Sequence, residues 1–120
     1  MKKNTEIVKE IKTVEKLIKK DLSKEKIISG LYKYIFKSSG KKIRAKLSLI
    51  SSSTKNHKDR LKLASVIELL HTATLVHDDV VDNSLIRRGA KSVNNIWTNS
   101  HGVLIGDYIY SKAFMLMVDI

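Results

Sequence analysis

The stretch HTATLVHDDVVD, residues 71–82, decides the fold of this 120-residue chain. It continues a run, residues 61–70, in which apolar side chains recur at helical spacing. Together the two runs predict a long central helix from about Asp59 to Val81. The chain also has no proline, only 5 glycines and many Leu, Ile, Lys and Glu residues. This composition is typical of an all-α fold.

The aspartates at the end of this helix form an acidic cluster. His71, Asp78 and Asp82 share one stripe of the helix, and Asp79 lies about 100° round from Asp78 near the edge of the same face. Such close carboxylates repel one another and cost stability unless a cation lies among them. Two carboxylates one turn apart suit Mg²⁺, which takes one or two carboxylates together with waters and phosphate oxygens. The alternative is a solvated acidic helix end.

Two arginines, Arg87 and Arg88, follow the aspartates and precede Gly89. Each guanidinium can bind phosphate oxygens through two parallel hydrogen bonds. Carboxylates, a metal ion, a diphosphate and arginines together make a coherent site, whereas the alternative is an unrelated basic loop. Because His71 lies upstream of the aspartates, the sequence favours a metal and diphosphate site over an unrelated basic loop.

Residues 68–82 together with residues 87–89 resemble the first aspartate-rich motif of the trans-polyprenyl diphosphate synthases, most closely the octaprenyl-type, long-chain bacterial enzymes. The resemblance runs from about residue 38 to residue 120 and includes SGKKIR at 39–44 and LIGDYIY at 104–110. It implies the N-terminal portion of an isoprenoid-synthase-type helical bundle. It also implies a prenyltransferase that adds isopentenyl diphosphate to an allylic diphosphate.

Site residues follow from this resemblance one by one. Asp78 and Asp82 would be Mg²⁺ ligands, with Asp79 in support, and Arg87 would hold the allylic diphosphate. The residues implied to hold isopentenyl diphosphate are Lys41, Arg44, His71 and Arg88.

The residues just before the first aspartate set the product length in this family. Ala73 and Thr74 occupy these positions and are small. By analogy they favour a medium or long product such as octaprenyl, although small residues are also ordinary on a core helix.

A third helix is predicted to begin at residues 41–44. Free N–H groups and the positive end of the helix dipole favour an anion there. The sequence departs from the family at Ala45, where the family generally has proline. Because proline suits the first turn of a helix, its absence is expected to loosen the loop more than to change its charge.

The remaining predicted elements are helical apart from one loop. Asn4 or Thr5 is expected to cap a first helix, and Ser23 is expected to cap a second. A loop covers residues 83–92, a short helical segment follows Val93, and residues 99–100 are expected to cap the last helix. The apolar residues 115–120 predict that residues 1–120 form one incomplete synthase domain that ends inside a helix.

No second aspartate-rich motif follows the first. The only later aspartates are Asp107 and Asp119, which do not form a pair. We therefore expect little or no synthase activity from this polypeptide alone. The expected partners are a second copy, as in the full-length family, or a complementing C-terminal half.

Charge and composition limit the other function classes. The net charge is +11, which divides into +13 for residues 1–62 and −2 for residues 63–120. A nucleic-acid binder is one alternative, but lysines without interleaved aromatics favour solvated helix faces. A non-catalytic helical partner of a full-length synthase is another. The chain has no cysteine, no signal peptide and no apolar run of about 20 residues, so a cytoplasmic protein without a membrane span is expected.

Overall fold

The computed structural model describes residues 4–37, 42–52, 56–87 and 89–120, which are mostly helical. No described helix has the length and apolar character needed to cross a membrane. The expectation of an all-α fold is confirmed. The helices are α1 (Asn4–Lys19), α2 (Lys26–Lys37), α3 (Ile43–Ser51), α4 (His57–Val81), α5 (Val93–Ile96) and α6 (Asn99–Val118), and two short strands, β1 (Ile86–Arg87) and β2 (Ala90–Lys91), precede α5.

The helix α4 is the centre of the packing and contacts α1, α3 and α6. It begins two residues before the predicted start because Asn56 caps it, accepting a hydrogen bond from the Asp59 N–H at 3.1 Å. Its buried stripe includes Leu61, Leu69 and Ala73. Burial of each large aliphatic side chain contributes roughly 1.5–3 kcal/mol, so this stripe holds the neighbouring helices against α4.

One buried arginine joins three helices. Arg60 of α4 donates from Nη1 to Glu10 Oε2 of α1 at 2.5 Å. It also donates from Nη2 to the Leu49 carbonyl of α3 at 2.5 Å and from Nε to Ser52 Oγ at 2.8 Å. Because both Arg60 and Glu10 are buried, each needs the other to offset its desolvation.

The cap of α2 differs from the prediction. The helix begins at Lys26, and the Glu25 carboxylate accepts hydrogen bonds from the N–H groups of Ile27 at 3.3 Å and Ile28 at 3.2 Å. Ser23 instead accepts from the Glu25 N–H at 3.2 Å. A carboxylate next to the first turn also interacts favourably with the helix dipole, which explains why Glu25 takes this role.

The cap of α6 is one residue earlier than predicted. Thr98 Oγ1 accepts a hydrogen bond from the His101 N–H at 3.2 Å. Thr98 is extended, whereas Asn99 and Ser100 are already helical. The cap must lie outside the helix, and the structure therefore assigns it to Thr98.

Two glycines let α6 approach α4 closely. A Cβ at Gly106 would lie 2.2 Å from His77 Nε2, and a Cβ at Gly102 would lie 2.6 Å from Val80 Cγ2. Any side chain at Gly106 would therefore displace the histidine ring. The helix pair depends on these two positions.

The segment predicted as a loop contains a small hairpin. The strands pair antiparallel, with Ile86 opposite Lys91 and Arg87 opposite Ala90, and the chain turns at Gly89, where φ is +76°. That backbone angle is open to glycine at no steric cost. Periodicity does not reveal strands of two residues, which is why the sequence predicted a loop. The hairpin directs Arg87 back towards α4.

Candidate active site

A cavity of about 140 Å³ lies between α2, α3, α4 and the hairpin. Its lining includes four of the predicted site residues, Arg44, His71, Asp79 and Arg87. The four residues lie within the 44 positions from 44 to 87. They come from three different elements, which are α3, α4 and the hairpin. The fold therefore brings basic side chains from α3, α4 and the hairpin to one cavity.

Arg87 and Asp79 form the best-defined contact of the cavity. Asp79 Oδ1 accepts from Arg87 Nη2 at 2.7 Å, and Asp79 Oδ2 accepts from Arg87 Nε at 3.3 Å. Asp79 is only 4% exposed, whereas the Arg87 side chain is 40% exposed. The hydrogen bonds to Asp79, with smaller contributions from nearby Asp78 and Asp82, raise the pKa of Arg87 above its usual value. The guanidinium is therefore a permanent cation at the cavity wall.

Asp78 and Asp82 have a different environment from Asp79. Both are exposed, and they lie one helical turn apart, since the Asp82 N–H donates to the Asp78 carbonyl at 2.8 Å. Two solvent-facing carboxylates at this spacing fit Mg²⁺, which needs one or two protein carboxylates and fills its other positions with waters and phosphate oxygens. Among the described residues, no group of three or more His, Cys, Asp or Glu residues could hold a metal ion.

The start of α3 holds Arg44 at the cavity. Lys42, the residue before the helix, has a left-handed backbone with φ of 52° and makes no side-chain cap. The Ala45 N–H donates instead to Glu68 Oε1 of α4 at 3.0 Å. Lys42 Nζ pairs with Glu15 Oε1 of α1 at 3.3 Å, so this lysine serves the fold. Sequence reasoning gave neither Glu68 nor Lys42 a role.

The other predicted substrate contacts are only partly described. His71 is half-buried and lines the cavity one turn after Glu68. Lys41 and Arg88 lie outside the described residues. Of the residues assigned to isopentenyl diphosphate, the structure thus brings together Arg44 and His71.

The two residues predicted to set product length face different surroundings. Ala73 is fully buried in the core. Thr74 is exposed, and its Oγ1 lies 2.9 Å from the Leu70 carbonyl and 3.0 Å from the Tyr110 hydroxyl of α6. Thr74 therefore lies one turn before Asp78 on the same exposed side of α4, while Ala73 acts in packing.

Relatives of known activity resemble this chain in sequence. An all-trans-nonaprenyl-diphosphate synthase (geranyl-diphosphate specific) from Rhodobacter capsulatus is 43% identical over 101 residues, covering 82% of this chain and 31% of that protein. Octaprenyl diphosphate synthase from Escherichia coli (strain K12) is 38% identical over 96 residues, covering 78% of this chain and 30% of that protein. The chain thus spans about 30% of the length of these relatives.

Solved structures and a family match agree with these relatives. Heptaprenyl diphosphate synthase from Staphylococcus aureus superposes with a TM-score of 0.87 at 29% identity, covering 95% of this chain and 37% of that chain. Polyprenyl synthase from Caulobacter crescentus CB15, complexed with calcium and isoprenyl diphosphate, gives a TM-score of 0.84 at 34% identity, covering 96% of this chain and 36% of that chain. Residues 25–120 match the family described as Polyprenyl synthetase. This protein therefore belongs to the polyprenyl synthetase family.

Proposed function

We propose that this chain forms one wall of the active site of a polyprenyl diphosphate synthase. The reaction is the addition of isopentenyl diphosphate units to an allylic diphosphate, with a medium or long product such as octaprenyl. The observation that carries this proposal is the cavity, where Arg44, His71 and the Asp79–Arg87 pair meet beside Asp78 and Asp82. Family membership supports the same reaction.

The basic residues of the cavity would bind the two diphosphates. Asp79 engages Nε and Nη2 of Arg87, and Nη1 lies outside this pair of bonds. Arg87 would thus be held in one orientation while it donates to the allylic diphosphate. Arg44 and His71 would bind isopentenyl diphosphate, together with Lys41 and Arg88.

Asp78 and Asp82 would hold Mg²⁺, and their exposure leaves room for the waters and phosphate oxygens that complete its coordination. When bound, Mg²⁺ supplies positive charge that stabilises the departing diphosphate. Arg87 would add a second positive charge, held in place by Asp79. The work of these residues is electrostatic, because the protein must offset charge that develops on the leaving group.

We further propose that this chain alone turns over little or no substrate. Its later aspartates, Asp107 and Asp119, do not form a second pair. A second set of metal ligands would have to come from outside residues 1–120, for example from a complementing C-terminal half. A cytoplasmic location stays a prediction from the composition.

A non-catalytic subunit that pairs with a synthase is the second candidate. Large apolar side chains of α6 are exposed, among them Phe114, Met115 and Val118. A contiguous apolar surface of this kind is typical of a protein contact. This candidate predicts that α6 becomes buried on mixing with a synthase while the diphosphate cavity stays empty.

Calorimetric titration with inorganic diphosphate, in the presence and absence of Mg²⁺, tests the first proposal. We expect Mg²⁺-dependent binding that is lost in Asp78→Asn and Asp82→Asn and kept in Asp119→Asn, a matched control at the residue that follows α6. A chain-elongation assay with labelled isopentenyl diphosphate then tests turnover. Robust elongation by this chain alone would overturn the proposal that it turns over little or no substrate. Diphosphate binding that does not depend on Mg²⁺ would overturn the assignment of Asp78 and Asp82 as metal ligands.

A further inference from the structure

We propose that Glu68 is the positioning residue that holds the first turn of α3, and with it Arg44, at the cavity. The inference rests on the proposed function, because it concerns how the diphosphate contacts are held. It assigns a role to a buried carboxylate that lies in the cavity wall.

Glu68 accepts a hydrogen bond from a donor in the first turn of α3. A helix leaves its first N–H groups without partners inside the helix, and a polar side chain just before the helix usually accepts from one of them. Lys42 stands in that place and makes no side-chain cap. The Ala45 N–H donates to Glu68 Oε1 at 3.0 Å. The cap of α3 therefore comes from α4, 23 residues later in sequence.

The burial of Glu68 makes this contact a strong constraint. Glu68 is 8% exposed, and a buried carboxylate is stable only where hydrogen bonds and positive charge replace water. The N-terminal end of α3 offers both, through its N–H groups and its dipole. Glu68 and α3 thus stabilise each other, and the contact fixes where α3 begins relative to α4.

The position of this contact links it to ligand binding. Arg44 precedes Ala45 directly, and His71 follows Glu68 by one turn of α4. All of Arg44, Glu68 and His71 line the cavity. A shift of the first turn of α3 would therefore move Arg44 away from His71, so Glu68 would set the spacing of two groups that bind one diphosphate.

The hydrogen bond to Glu68 requires a residue with a backbone N–H at position 45, and Ala45 provides it. Proline has no N–H, so a proline here could not donate to Glu68. The chain departs from its family's usual proline at this position and gains the donor. The contact therefore depends on a residue other than proline at position 45.

The test combines amide hydrogen exchange at Ala45 with calorimetric binding of inorganic diphosphate in the presence of Mg²⁺. In Glu68→Leu we expect exchange at Ala45 about tenfold faster, which corresponds to losing one buried hydrogen bond. We also expect diphosphate binding roughly tenfold weaker, as when a residue that orients a ligand group is removed. Glu68→Gln keeps an acceptor oxygen and should restore both properties to within about twofold of the wild type.

Glu25→Leu is the matched control, since it removes the cap of α2 without touching α3. The inference is overturned if Glu68→Leu leaves exchange at Ala45 unchanged or weakens binding no more than this control does. If Glu68→Leu does not fold, Glu68→Asp, which withdraws the carboxylate, should move both readouts in the same direction. Wild-type protein that binds no diphosphate would refute the proposed function, while exchange at Ala45 still decides whether Glu68 caps α3.

Discussion

Arg87 of β1, whose guanidinium is partly exposed, donates two hydrogen bonds, of 2.7 and 3.3 Å, to the buried Asp79 carboxylate of α4. The neighbouring Asp78 and Asp82 are exposed and keep their carboxylates in solvent. The aspartates therefore divide into one that positions an arginine and two that are open to a metal ion.

A double-mutant cycle with Asp79→Asn and Arg87→Leu should show a coupling of about 1–2 kcal/mol in the free energy of unfolding. We expect this coupling energy because the two charged groups form a bidentate hydrogen bond. Since Arg87 is partly exposed, the coupling energy should stay below the roughly 3–5 kcal/mol lost when a fully buried pair is broken. Urea unfolding of the four proteins measures the coupling. The exposed pair Lys62–Asp119 serves as the control and should show a smaller coupling. Equal coupling in the two pairs would contradict the role given to burial.

Neutralising Asp78 or Asp82 should separate stability from metal binding. Because both are exposed at the C-terminal end of α4, where the dipole disfavours negative charge, Asp→Asn should leave the free energy of unfolding unchanged or raise it by up to about 0.5 kcal/mol. Mg²⁺-dependent diphosphate binding should fall at least about tenfold, since even residues that only orient metal ligands are worth that much. Calorimetry and urea unfolding measure the two effects. Loss of both together would indicate a structural role.

The glycines of α2 and α6 should respond to alanine in opposite directions. Gly106→Ala should lower the free energy of unfolding by about 1–3 kcal/mol, because the new Cβ overlaps the His77 ring. Gly30→Ala is the matched control, with nothing within 4 Å of its Cβ, and should raise stability by about 0.5–1 kcal/mol. Thermal and urea unfolding measure both changes. A stabilising Gly106→Ala would show that α4 and α6 are farther apart than described.

Tyr32 should make the fold sensitive to alkaline pH. Burial, with a smaller contribution from Tyr108, raises the pKa of the Tyr32 phenol well above its usual value. Below pH about 10 both the folded and the unfolded chain keep the proton, so the contribution is fully present. Above pH about 10 the unfolded chain loses it first, and the free energy of unfolding falls by up to about 1.4 kcal/mol per pH unit.

Urea unfolding between pH 8 and pH 11, in the wild type and in Tyr32→Phe, measures this slope. All other ionisable groups are common to both proteins, so the difference between the two curves belongs to Tyr32. We expect a shallower decline in Tyr32→Phe. Parallel curves would contradict the assignment.

The helices could be predicted from sequence because their signal is local and repeated. Apolar residues at helical spacing marked α4 through several turns, and the only error was its start at His57. Apolar spacing does not indicate which side of a helix is buried by neighbouring elements that lack such a pattern. Asp79 was placed near the edge of the face of Asp78, yet it is buried and Asp78 is exposed. The Arg87 side chain that binds Asp79 comes from the hairpin, and the two-residue strands of this hairpin have no periodicity to recognise.

The contacts that organise the cavity are not local, which is why they were missed. Ala45 and Glu68 are 23 residues apart, and no sequence pattern indicates that they contact each other. Lys42 and Glu15 are likewise separated by the end of α1 and the whole of α2. Motif spacing can indicate which side chains meet a ligand, but the partners that hold those side chains depend on how the helices pack.

The Arg60–Glu10 pair has a consequence for where the folding unit begins. The family match starts at residue 25, so α1 lies entirely before it. Arg60 belongs to the matched region, yet its carboxylate partner lies in α1. A version trimmed to residues 25–120 would leave a buried guanidinium without its counter-ion. The folding unit therefore includes α1, which the family match leaves out, because the buried Arg60 needs the Glu10 carboxylate as its counter-ion.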